Sequence, residues 1–70
     1  MNVDPNNLIP FVNLVNECCG VMEDDYVATW LITPNSNFNM EKPFDLFASG
    51  CSEKIYRILY FIQIGEADLV

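Results

Sequence analysis

Residues 52–65 read SEKIYRILYFIQIG, and the class of the fold turns on whether this run is a strand or a helix. Its β-branched and aromatic content is strand-like, but its length and punctuation favour a helix. Ser52 is placed to cap it, Glu53 suits the positive end of the helix dipole, and Gly65 is placed to end it. At about 100° per residue, Ile55, Ile58, Leu59 and Ile62 fall on one arc, the expected core face. Arg57, Tyr60, Phe61 and Ile64 fall on the far side, with Tyr56 at the boundary. A helix that is apolar all round is either enclosed by its own domain or touches something else. One reading has the first helix of the chain covering this second face. The other has it meeting a protein partner or a second copy, for which Tyr and Phe beside Arg are enriched types.

Working outward, the rest of the chain also reads as helices. Leu8, Phe11, Val12, Val15, Cys18, Cys19 and Met22 recur at intervals of three and four, which marks a first helix and its expected apolar face. Asp4, Pro5 and Asn7 offer starts for it, Gly20 a stop, and Pro10 requires that it begin close before that residue. Glu23, Asp24 and Asp25 form the acidic start of a second helix with Val27, Trp30 and Leu31 on one face, ended by Pro34. Residues 33–40 are a turn-rich connector in which Phe38 is expected to plug back onto the core. Pro43 opens a short third helix carrying Phe44, Leu46 and Phe47, and Gly50 stops it. The expectation is an all-α fold, a single-domain bundle of about four short helices over residues 1–70.

Composition narrows the function. The chain has 70 residues, ten Asp plus Glu against three Lys plus Arg, a net charge of −7 and no histidine. Without histidine, Ser-His or Cys-His catalysis and Cys2His2 zinc are excluded, and no nucleophile has a base at a recognisable spacing. An enzyme, a metal site and a bound cofactor are therefore not expected. Lys42, Lys54 and Arg57 are too few for direct binding to a phosphate backbone, and the same sign opposes an anionic membrane surface. Cys18, Cys19 and Cys51 have no C-x-x-C spacing and read as buried, reduced thiols. With no basic leader and no run of ~20 apolar residues, the expected compartment is the cytoplasm, bacterial or that of a host if the chain is phage-encoded.

One ordered set of residues carries a resemblance. Trp30-Leu31, Pro34-Asn35, Phe38, Pro43-Phe44-Asp45-Leu46-Phe47, Gly50, Ile55, Leu59, Ile62 and Gly65 occur in register and without a gap. Over residues 21–70 the chain thereby resembles the toxin-binding C-terminal domain of the MbcA/ParS/Xre antitoxins. It departs where Asn39-Met40 stand in place of a glycine pair and Lys42 in place of a capping Thr. If those two positions need positive φ, Asn39 follows easily and Met40 only with strain. The helix-turn-helix region common in the family has no room here, so operator binding is not carried over.

The resemblance implies a stoichiometric inhibitor that docks on a RES-type, NAD-degrading toxin, its C-terminal segment helping to occlude the active-site cleft. That segment is residues 63–70 here, and Glu66, Asp68 and a carboxylate at Val70 can meet basic groups that otherwise hold pyrophosphate. The plainer reading of the segment is a frayed acidic terminus that aids solubility. The expected partner-binding set is Arg57, Tyr60, Phe61, Ile64, Glu66, Asp68 and Val70. A second class of function, motivated by the −7 charge, is a phage-type inhibitor such as an anti-CRISPR protein that blocks a basic nucleic-acid groove of a defence complex. A homodimer on the surplus apolar face is compatible with either.

Overall fold

The run that decides the class is a helix over Ser52–Gln63, with Ile55 and Leu59 buried and Ile58 and Ile62 packed against them at the core margin. It is the last of four helices in the computed structural model, which describes residues 5–70. In chain order these are α1 (Pro5–Cys19), α2 (Asp24–Ile32), α3 (Pro43–Ala48) and α4 (Ser52–Gln63), with a 3-10 turn at Ser36–Phe38. The described residues contain no strand, only an isolated bridge between Asn35 and Glu41. The fold is a small all-α bundle.

The most extensive packing has α1 on α2 and α4, and α3 on the same two. The ring closes around Trp30, Leu14, Ile55 and Leu59, all essentially without solvent exposure. Phe38 folds back as expected and lies edge-on to Trp30, ring centroids 6.3 Å apart. Phe11 of α1 meets Phe44 and Phe47 of α3 edge-on at 6.0 and 5.4 Å, which ties the start of the chain to its middle.

The punctuation of α3 and α4 follows from glycine. Gly50 and Gly65 take φ of 85° and 81°, the left-handed region that side-chain-bearing residues avoid. Each sits just past a helix end, where two backbone bonds close the last turn. These are Cys51 N–H to Leu46 O with Gly50 N–H to Phe47 O, and Glu66 N–H to Phe61 O with Gly65 N–H to Ile62 O.

Several expectations are corrected. Leu14, absent from the apolar face assigned to α1, is fully buried, whereas Leu8 and Val12 are nearly half exposed and Cys19 faces solvent. The core face is Phe11, Leu14 and Cys18, and its contact with α3 and α2 selects it over the neighbouring stripe. Pro10 lies beyond the first turn, inside α1, rather than close to its start. Of the proposed caps, Asp4 and the side chain of Asn7 lie outside the described residues. Glu23 holds the cap position of α2 without a side-chain bond, and Ser52 is the first residue of α4 rather than its cap. Of the three thiols only Cys18 is buried; Cys51 is half-buried.

Asn39 and Met40 both lie in the left-handed region, at φ 55° and 68°. For Met40 that conformation costs about 1–2 kcal/mol. Its side chain is 62% exposed, so packing does little to offset the strain. Met40→Gly removes the strain but adds roughly 0.5–1 kcal/mol of unfolded-state entropy. The expected net effect is a thermal midpoint higher by roughly 2–8 °C. A lowered midpoint would show that the Met40 side chain contributes more than the backbone conformation costs.

Candidate functional site

The same helical period that buries Ile55 and Leu59 turns Arg57, Tyr60, Phe61 and Ile64 outward. Tyr60 is 59% exposed, Ile64 51% and Phe61 37%, and the Tyr60 and Phe61 rings lie edge-on with centroids 5.8 Å apart. The first helix does not cover this face. Beside it, burial first, and then Glu17 and Cys18 of α1, raise the pKa of the Tyr56 phenol and keep it neutral. Arg57, Tyr60, Phe61 and Ile64 therefore form one continuous aromatic and aliphatic surface with a cation in it.

Glu66, Asp68 and Val70 have exposed side chains, but the segment that carries them is anchored rather than frayed. Glu66 and Ala67 N–H groups both donate to the Phe61 carbonyl, which keeps Glu66 beside the α4 face. The chain then runs on to α2 and the 3-10 turn. Trp30 Nε1 and Asn35 Nδ2 donate to the Leu69 carbonyl at 2.6 and 2.8 Å, and Asn37 Nδ2 donates to the Asp68 carbonyl at 2.8 Å. Leu69 itself packs against the core. The structure thus keeps Glu66 with the α4 face and carries Asp68 and Leu69 away to α2 and the 3-10 turn.

Asn35, which the sequence marks only as half of the Pro34-Asn35 pair, has a structural role of its own. It is the sole buried polar side chain among the described residues, with no solvent exposure. Its Oδ1 accepts from Asn37 N–H while its Nδ2 holds the tail. No local period signals such a role, because its partner lies 34 residues away. Deleting residues 66–70 should destabilise the fold by about 2–4 kcal/mol, since the Trp30, Asn35 and Asn37 side-chain donors lose their acceptors and Leu69 loses its seat. A lower thermal midpoint with red-shifted Trp30 emission is the expected result; an unchanged midpoint would show the anchor to be dispensable.

Two concavities flank these elements. An open basin is rimmed by Glu23, Asp24, Asp25, Tyr26 and Leu69. A smaller groove of about 240 Å³ lies between the 36–41 turn and α4, and Lys54 and Arg57 line it. Among the described residues no group of His, Cys, Asp and Glu is arranged to hold a metal ion. Burial, followed by Cys19 and Glu17, pushes the Cys18 thiol up to about 11, so it stays protonated at neutral pH. No described helix is long and apolar enough to cross a membrane. No family model, curated protein or solved structure matches the chain.

Proposed function

We propose that the chain acts by occupying another protein, through the outer face of α4 and the adjoining tail. The observation that carries this reading is the exposure of Tyr60, Phe61 and Ile64 beside Arg57, on a helix whose inner face already completes the core. Large aromatics next to Arg are the residue types on which binding energy concentrates. The anchored tail adds to it: Glu66 and Asp68 are presented from a segment already ordered by its hydrogen bonds, so less conformational freedom is lost on binding. By its resemblance to the toxin-binding domain of MbcA/ParS/Xre antitoxins, the target is a RES-type, NAD-degrading enzyme whose cleft it covers. Titration calorimetry of the full chain into such an enzyme tests this. A one-to-one complex is expected, and no heat at micromolar concentrations would contradict it.

A second reading is favoured by the acidic basin. Glu23, Asp24 and Asp25 are contiguous and exposed, a surface suited to a basic nucleic-acid channel such as that of a bacterial defence complex. Its signature is competition with nucleic acid and a steep fall in association rate with salt, whereas the α4 interface should depend on salt only weakly.

A further inference from the structure

We propose that the groove between the 36–41 turn and α4 is a carboxylate-binding site that takes a glutamate-like side chain of a protein partner. Two of the three cations of a chain with net charge −7 converge there: Lys54 and Arg57 stand one helical turn apart on α4 and line the same concavity. A guanidinium presents a planar fork that matches a carboxylate, and the neighbouring ammonium adds charge without demanding geometry. The floor is apolar, made by buried Phe38 and Leu46 with Ile58 beside them, and it suits the methylene stem that carries such a carboxylate.

The opposite wall is preformed. Asn35 N–H donates to the Glu41 carbonyl at 3.1 Å, and the Asn35 carbonyl accepts from Phe38 and Met40 N–H groups, both at 2.9 Å. These bonds hold Asn39 and Met40 in the left-handed region and fix the lining residues Asn39 and Glu41 in place. A site held this way loses little freedom when it is filled. Glu41 also selects the ligand. Its carboxylate offsets one of the two cations, leaving a single net positive charge in the groove, which suits a monoanionic carboxylate better than a phosphate dianion. The site borders the aromatic face of α4 and shares Arg57 with it, but it does not depend on the target proposed above.

The test is nuclear magnetic resonance of the 15N-labelled full chain at constant ionic strength, titrated in turn with N-acetylglutamate, neutral N-acetylglutamine and inorganic phosphate. Saturating shifts at Asn39, Glu41, Lys54 and Arg57 are expected with N-acetylglutamate, with dissociation constants on the order of millimolar. The neutral analogue should produce none that saturate, and phosphate should bind more weakly. Replacing both cations, K54Q with R57Q, should weaken binding by about tenfold or more, while Glu41→Gln should tighten it by roughly two- to fivefold. All three side chains are exposed, and a dispersed spectrum identifies variants that keep the fold. Equal shifts with N-acetylglutamine, tighter binding of phosphate, or a Glu41→Gln variant that binds no better would each overturn the proposal.

Discussion

Asn35→Asp is expected to remove about half of the folding stability at neutral pH. The substitution keeps the shape of a fully buried side chain but replaces its donor with a second acceptor, facing the Leu69 carbonyl. A buried carboxylate without a counter-charge costs about 3–5 kcal/mol. The whole stability of a domain this size is about 4–10 kcal/mol. Asn35→Ala loses both side-chain hydrogen bonds, that from Asn37 N–H and that to the Leu69 carbonyl, without burying a charge, and should cost about 2 kcal/mol. The sign with pH follows. Burial raises the introduced carboxyl's pKa in the folded state above its unfolded value, so stability is retained at low pH and lost as pH rises above about 4. Denaturant melts of the two variants between pH 4 and 7 check this. An aspartate variant as stable as the alanine variant at pH 7 would show that Asn35 is not the hub described.

Replacing Tyr60 and Phe61 together with Asp is expected to abolish partner binding while the helices persist. Each side chain is of a type that contributes about 2 kcal/mol or more at a binding hot spot, so the pair should weaken the complex at least ~100-fold. The cost to the fold is smaller. Tyr60 is mostly exposed and Phe61 partly so; two acidic residues near the end of α4 oppose its dipole by about 0.3–1 kcal/mol each. Helical circular dichroism should therefore stay near wild type, with a thermal midpoint lowered far less than in Asn35→Asp. An equal collapse of binding and helicity would mark both residues as core.

What could be read from the sequence was whatever is coded locally. The inner and outer faces of α4, the start of α3 at Pro43 and the stops at Gly50 and Gly65 all appear where the residue pattern puts them. Local pattern does not choose between two apolar stripes on one helix. In α1, Leu8, Ile9, Phe11, Val12, Leu14 and Val15 supply two candidate faces, and packing on α2 and α4, together with Phe44 and Phe47 of α3, selects the one containing Leu14. The anchoring of the tail was hidden for the same reason. Trp30, Asn35 and Asn37 reach residues 31 to 39 positions away, and a stretch of exposed acids carries no sign that its backbone carbonyls are held. Arg57 was singled out for the α4 face, but its place beside Lys54 in the groove depends on how the turn packs on the helix.

The proposed role is to silence an enzyme by stoichiometric occupation through α4. The measurement that tests it most directly is the NAD-degrading activity of a RES-type enzyme titrated with the full chain, with the Tyr60, Phe61 double variant run in parallel. A linear fall to no activity at one chain per active site is expected, with no inhibition by the variant at the same ratio. Undiminished activity at saturating wild-type chain, or equal inhibition by both proteins, would contradict it.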